Sequence, residues 1–338
     1  MIYGWILFSV IAQTIVLFYM NFVYLPGRGA VRATLYEENA PAVKNRSFRL
    51  PEGTEKAVVS FDGIYVAYTA GNKLVIVNLD SKKTLKELSP SDGEFTCFRW
   101  LPDRDMLIYS IKEPDGITGR VRISTYDISA ELDRSYPDIK NLPSGSEIIE
   151  IELSPLTNIV YPMIKTSSSR ARIYKFDIMD NLSLIMKTDL STIIKETMYS
   201  DRLIYQTSDG KIRIRNGKTG RTAQIPVKDA NRLLAADDND FIYAGAAGEN
   251  GKITVLYTGK EEQKADEWDT ITLELPMEAS DIFVTAGGKI YTADRLKCEV
   301  LALEGTGVTG YDGELLDVLD DYVVSQDGDK LILKELKK

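Results

Sequence analysis

Histidine is absent from this sequence. That absence removes every Ser/His/Asp and Cys/His catalytic arrangement, and with them the commonest transition-metal ligand. Cysteine is nearly absent as well. Cys97 and Cys298 stand 201 residues apart, which excludes a CxxC redox or zinc unit. A disulfide between them and a pair of buried free thiols are both compatible with their apolar, strand-like surroundings. Positive charge is in deficit: 41 Lys and Arg face 50 Asp and Glu, a net charge of −9. An acidic surface repels phosphate backbones, so nucleic acid is not an expected partner. No G-x-S-x-G precedes a helical segment, and the D-x-[DN]-x-[DN]-G spacing of a calcium loop is not met.

What remains is an ordinary globular composition, 44% hydrophobic and 27% charged, with ample core in 338 residues. Its one long apolar run is Ile2 to Leu25, 24 residues without a charge. As a helix this run would measure ~36 Å, more than the ~30 Å hydrocarbon core requires. It lacks the short core and small-x-small site of a cleavable signal peptide. The sequence therefore predicts an uncleaved single-pass transmembrane anchor over 1–25, with the membrane as a partner. Residues 26–45 carry Pro26, Gly27, Gly29 and Pro41 and read as a linker. Arg28 and Arg32 follow the run closely, which by the positive-inside rule would place the bulk of the chain in the cytoplasm.

From residue 46 to 338 the chain repeats. Each copy has a turn, an apolar run ending at a tyrosine, a gap and a second alternating run. "FDGIYVAYTAGNKLVIVNLD" places Tyr68 in the marked position, and "SDRLIYQTSDGKIRIRNGKTGR" places Tyr205 there. Tyr109, Tyr161, Tyr243 and Tyr291 mark four more copies, at intervals of 41, 52, 44, 38 and 48 residues along the series. The seventh, "LDDYVVSQDGDKLILKEL", has Val323-Val324 instead. Each copy is preceded by another strand-like run, and several are followed by a fourth. About four strands in about 42 residues is the signature of a propeller blade. The fold class is therefore all-β, a seven-bladed β-propeller preceded by a single transmembrane helix. The seventh copy runs out one strand short. The spare candidate is "SFRLP", Ser47 to Pro51, which is expected to pair beside Lys330–Leu336 and close the ring.

"SFDGIYVAYTAGNKLVIVNLD" resembles the repeat of the TolB-type, WD-repeat-like bacterial propellers, and "IYQTSDGKIRIRNGKTGR" is similar to that of PQQ-dehydrogenase-like propellers. The resemblance implies architecture, because Asp-Gly turns set hairpins and aromatic and β-branched residues pack blades. It also implies an extracytoplasmic propeller at a bacterial cell membrane, against the local arginine count. The recurring Gly-His and Trp-Asp pairs of eukaryotic WD repeats are absent; Trp268-Asp269 stands alone. The cofactor chemistry of PQQ enzymes needs axial residues and a calcium site that cannot be assigned here, and no hydrolase domain follows the blades. No cofactor, metal or catalytic residue is assigned.

Asp237-Asp238-Asn239-Asp240 is the densest carboxylate cluster and reads as a solvated hairpin turn in blade five rather than a metal site. Gln326-Asp327-Gly328-Asp329 reads as a turn too, and the repeated tyrosines as blade packing. Three connections between second and third strands look long: 110–120, 162–171 and 244–251. Long loops on a rigid scaffold are where binding surfaces are built. The candidate partner-binding residues are accordingly Lys112, Glu113, Asp115, Arg120, Lys165, Arg170 and Glu249. The expected function is that of a membrane-tethered, non-enzymatic scaffold or accessory subunit at the cell envelope, with a protein partner. The alternatives are an extracytoplasmic sensor for a glycan or peptide, and a propeller enzyme, oxidoreductase or hydrolase, with an unrecognised site.

Overall fold

The computed structural model describes residues 2–19, 44–114 and 116–337. The chain divides into two units, Met1–Val43 and Lys44–Lys338.

The described part of the first unit is helix α1, Ile2–Tyr19. Its 18 residues rise about 27 Å at 1.5 Å each, short of the ~30 Å hydrocarbon core. Ser9, Gln13 and Thr14 interrupt its apolar surface, with Gln13 donating to Ser9 and Thr14 to the Val10 carbonyl. Among the described residues, no helix is long and apolar enough to cross a membrane. The expectation of a transmembrane anchor is thereby corrected, and the single-pass location and the orientation inferred from it fall with it. The rest of the apolar run and residues 26–43 of the expected linker lie outside the described residues.

The second unit is a ring of four-stranded antiparallel blades. Its first strand, β1 (Arg46–Arg49), waits for the end of the chain. Blade one is β2 (Thr54–Val59), β3 (Tyr65–Ala70), β4 (Lys73–Asn78) and β5 (Thr84–Leu88). Blade two is β6 (Glu94–Trp100), β7 (Met106–Lys112) and β8 (Gly119–Asp127), with its outer place shared by β9 (Leu132–Ser135) and β10 (Ile139–Leu142). Pro137, between those two short pieces, has no N–H to offer a ladder. Blade three is β11 (Glu147–Ser154), β12 (Ile159–Lys165), β13 (Arg170–Phe176) and β14 (Leu182–Asp189). Blade four is β15 (Ile193–Glu196), β16 (Arg202–Gln206), β17 (Ile212–Asn216) and β18 (Thr222–Gln224). Blade five is β19 (Arg232–Ala236), β20 (Ile242–Ala247), β21 (Ile253–Gly259) and β22 (Asp269–Met277). Blade six is β23 (Ile282–Val284), β24 (Ile290–Asp294), β25 (Glu299–Ala302) and β26 (Val308–Gly310). Blade seven is β27 (Glu314–Val318), β28 (Tyr322–Asp327) and β29 (Lys330–Glu335), completed by β1.

The all-β, seven-bladed reading therefore holds. The spare strand does close the last blade: β1 runs antiparallel to β29, with Phe48 opposite Leu331. Its Phe48 ring lies 6.2 Å from Tyr68 of blade one. Arg46 pairs with Asp80 of blade one at 2.8 Å and also donates to the Tyr322 hydroxyl of blade seven. At Gly63, in the first turn of blade one, φ is +71° and a Cβ would stand 2.6 Å from the Tyr322 ring, so that turn needs glycine to seat blade one against blade seven.

Middle strands are covered on both faces by neighbouring blades, so β4 reads as a continuous apolar run and is buried throughout its centre. Ala67, Leu74 and Ile76 of blade one meet Trp100, Leu107 and Tyr109 of blade two. Each buried leucine or isoleucine among them contributes about 1.5–3 kcal/mol. The six marked tyrosines are all buried, but they do not occupy one position. Tyr109 and Tyr205 pack toward the preceding blade, as does Tyr68 against Phe48. Tyr161 and Tyr291 pack toward the following blade, and the Tyr243 hydroxyl reaches Gly288 there at 3.0 Å. Both faces of a blade are interfaces, so either strand parity buries the ring. Cys97 lies in the core between blades two and three, and Cys298 packs against the core between blades six and seven, so both are free thiols and no disulfide joins them.

Candidate functional site

First strands of successive blades touch one another around the axis, from β2 to β27. In an up-and-down blade, turns from first to second and from third to fourth strands emerge on one face, here the lower face. Turns from second to third strands emerge on the upper face.

A cavity of 380 Å³ opens among the lower ends of these first strands. Arg99 on β6, Glu152 on β11 and Lys195 on β15 form a charged chain across three blades. Arg99 Nη1 lies 3.1 Å from Glu152 and donates to the Ile151 carbonyl at 2.8 Å, and Lys195 Nζ meets the other Glu152 oxygen at 2.6 Å. Burial opposes ionisation of Glu152, but Lys195 and Arg99 outweigh it and hold the carboxyl below its usual range. Glu152 and then Glu150 raise Arg99 in turn. Both bases in the cavity are therefore engaged.

Several of its carboxyls are not. Glu196, 8% exposed, has no hydrogen-bond partner on either oxygen. Burial, then the neighbouring Glu152 and Asp201, push it well above the carboxylate range. Desolvation raises Asp317 to about 6. Burial with Asp320 and Asp237 nearby also raises Asp238 to about 6.

The acidic cluster of blade five is indeed the turn between β19 and β20, but it is not a solvated one. Asp237 is buried and accepts from the Asn239 and Phe241 amides at 2.8 and 2.9 Å and from the Tyr243 hydroxyl at 3.0 Å. Asp240 reaches blade four, where it accepts from the Met198 and Tyr199 amides at 2.6 and 2.9 Å. Asp237 and Asp238 both line the cavity, and of the two Asp238 accepts no hydrogen bond among the described residues. The same device recurs at Asp320, which accepts from Thr285 and the Gly287 amide of blade six. At Asp201, it accepts from Tyr161 at 2.6 Å and Lys175 at 2.5 Å of blade three. Among the described residues, no group of three or more Cys, Asp or Glu side chains is placed to hold a metal ion.

The residues expected to form binding loops lie on the upper face, mostly in strands. The stretches 110–120 and 162–171 are extended hairpins whose connections are only 113–118 and 166–169, while 248–252 joins β20 to β21. Lys112 ends β7, 3.5 Å from Glu94. Glu113 is 8% exposed and is gripped by Arg120 and by Arg122 at 2.7 Å, so it holds its own hairpin together. Lys165 pairs with Glu147 at 2.6 Å within blade three. Arg170 and Glu249 are exposed. Asp115 lies outside the described residues. Lys112 and Glu113 come together with Asn72 and Phe95 in a 490 Å³ cleft between blades one and two; Lys165, Arg170 and Glu249 belong to other blades.

Exposed apolar side chains favour the lower face instead. Leu156 (51%), Ile178 (64%), Met179 (74%) and Tyr199 (65%) sit in its turns on blades three and four. Leu132 of β9, 62% exposed, lines a cleft with Pro155 and Asn158 of blade three. Arg134 pairs with Asp180 at 2.9 Å and ties β9 to the Ile178–Met179 turn. Ser154 donates to the Met198 carbonyl at 2.6 Å, which sets the Leu156 turn beside Tyr199. These links make one patch across blades two to four. On the upper face, Ile117 and Leu296 stand apart on blades two and six.

No family model and no curated protein matches the chain in sequence. Solved structures match it in shape. The Swd1 β-propeller domain of Myceliophteria thermophila Cps50 superposes with a TM-score of 0.53 at 11% identity, over 86% of this chain and 99% of that one. Hsv2 of Kluyvelomyces marxianus gives 0.52 at 10% identity, over 85% and 97%. Dipeptidyl peptidase 4 of Porphyromonas gingivalis gives 0.46 at 10% identity, over 71% of this chain and 44% of its own, too slight a likeness to carry weight. At these identities the likeness to Swd1 and Hsv2 concerns the fold: the chain is a β-propeller of the same general architecture.

Proposed function

We propose that this propeller is a non-enzymatic protein-binding scaffold that docks its partner on the lower face of blades two to four. The observation that carries the reading is the exposure of Leu132, Leu156, Ile178, Met179 and Tyr199 on lower-face segments joined by the Arg134–Asp180 pair, the Ser154–Met198 hydrogen bond and the cleft between Leu132 and Pro155. Contiguous exposed apolar surface on a folded domain marks an interaction site more often than scattered leucines do. The partner fitted to it is a folded protein whose contact surface is apolar at its centre and basic beside it. The acidic cavity at the axis opens on the same face and supplies the complementary charge.

The sensor alternative is not favoured here: Arg99 lines the axial cavity, but no tyrosine or tryptophan lines it among the described residues. The enzyme alternative draws on the raised carboxyls. Function has to be argued from a site, and the unpaired acids here share their cavity with an apolar lining that suits binding. The finer TolB-type assignment rests on the repeat sequence, and the envelope setting that depended on an anchor is not carried forward.

The test is a pair of charge-insertion variants. Leu156→Glu with Met179→Glu is expected to abolish recovery of a discrete partner from the native cell, while Ile117→Glu with Leu296→Glu leaves it intact. Equal recovery by both variants overturns the assignment of the face.

A further inference from the structure

We infer that the axial cavity is a binding site for an alkylammonium or alkylguanidinium group, with its aliphatic stem against the apolar lining and its charge against the unpaired carboxyls.

Three observations converge on it. The first is a charge imbalance: five carboxylates and two bases line the cavity. Both bases are committed to Glu152. Low-dielectric walls lined with one sign of charge focus the field on the opening and concentrate ligands of the opposite sign. The second is the unpartnered state of Glu196, a residue of the cavity lining whose two buried oxygens find no donor. A buried carboxyl left without a partner is costly, and a cation entering beside it relieves that cost. Asp238 and Asp317 stand in the same wall. Asp317 accepts only its neighbour's Val318 amide at 2.8 Å, and no donor to Asp238 is found among the described residues.

The third observation is the apolar part of the wall. Leu153, Met198, Leu234 and Phe283 line the same space, interspersed with the acids. A cavity that mixes carboxyls with hydrocarbon surface recognises a cation carried on methylenes, as a lysine stem or a polyamine is. A volume of 380 Å³ falls in the range of small-molecule sites, ~300–1,000 Å³, and is far larger than a bare ion needs. An inorganic cation also lacks a converging ligand set among the described residues.

The ligand chemistry has two sources: a free polyamine, or a basic side chain presented by a docked protein. The second deepens the docking proposal; the first stands without it. Titration calorimetry on the full chain with spermidine, and separately with N-acetyl-lysine methylamide, distinguishes them. Saturable binding of spermidine alone assigns a free polyamine. Binding of the lysine amide assigns a side-chain pocket. The uncharged isostere 1-pentanol is expected not to bind. Asp238→Asn and Asp317→Asn, which change cavity-lining residues outside the blade cores, are each expected to weaken binding about tenfold or more. Glu196→Gln, of the same shape, is expected to weaken it as well, with melting profiles confirming that all three variants fold. No saturable binding of either amine, binding of 1-pentanol with equal strength, or binding unchanged in Asp238→Asn and Asp317→Asn would each overturn the inference. None of these results depends on whether a protein docks on blades two to four.

Discussion

Replacing Asp201 by alanine tests how the blades are held to one another. Asp201 is 4% exposed in the first turn of blade four. It accepts from the Tyr161 hydroxyl at 2.6 Å and from the Lys175 ammonium at 2.5 Å, both on blade three. Lys175 is 8% exposed, and its other acceptor is the Gly217 carbonyl at 2.9 Å. Removing the carboxylate strands an ammonium and a hydroxyl between two blades. Breaking a buried pair from one side costs about 3–5 kcal/mol, because the surviving charge stays desolvated. Tyr161→Phe removes only one hydrogen bond to a charged group and leaves Lys175 paired, so about 1.5–3 kcal/mol is expected. Asp201→Leu combined with Lys175→Met removes both charges and should recover most of the loss. The assay is urea unfolding followed by circular dichroism, with each free-energy change read from the midpoint and slope. Asp201→Ala within about 1 kcal/mol of wild type, smaller than any broken buried pair, would refute the reasoning. So would a Tyr161→Phe change as costly as Asp201→Ala.

Other expected outcomes follow from single groups. Glu196 is raised above its unfolded value, so the native state holds the proton more tightly. Its contribution is fully favourable below the unfolded carboxyl range, near pH 4, and is lost as pH rises through the raised value. Glu196→Gln should therefore stabilise the protein at pH 8 and leave it unchanged near pH 4; the reverse order in denaturation midpoints would contradict this. Cys97 is buried and its thiol is pushed up to about 11 by desolvation, whereas Cys298 is half-buried in a turn. Iodoacetamide at pH 8 should label Cys298 in the native protein and Cys97 only after unfolding, as read by peptide mass. At Gly93 a Cβ would fall 2.1 Å from the Lys112 carbonyl oxygen, with φ at +96°. Gly93→Ala is expected to destabilise by more than about 1 kcal/mol, measured by the same urea unfolding.

The ring was legible because its signals are local and recur. Asp-Gly turns, apolar middle strands and the spacing of Tyr68, Tyr109, Tyr161, Tyr205, Tyr243 and Tyr291 marked the copies, and the missing fourth strand in blade seven pointed back to Phe48. Register was not legible. A tyrosine on either face of a blade meets another blade, so Tyr205 and Tyr161 satisfy one pattern while pointing opposite ways into their shared core. The supposed long loops were misread because Lys112, Arg120, Lys165 and Arg170 are charged, and charged residues at the ends of extended hairpins look like loop in sequence. The anchor expectation counted the apolar residues to Leu25, whereas the described helix ends at Tyr19. The axial residues were missed although a signal existed. Arg99, Glu152, Lys195 and Asp317 are charges toward the ends of first strands in four blades, beside Phe, Ile, Leu and Val. A charge recurring at that end of the first strand points to the axis.

The most direct measurement of the central claim is site-specific photo-crosslinking in the native cell. A photoreactive residue would be placed at Met179 or Tyr199 on the lower face and at Ile117 or Leu296 on the upper. The account predicts adducts of one discrete mass from positions 179 and 199 and none from 117 or 296. Adducts from the upper positions alone, or no adduct from position 179 or 199, would contradict it.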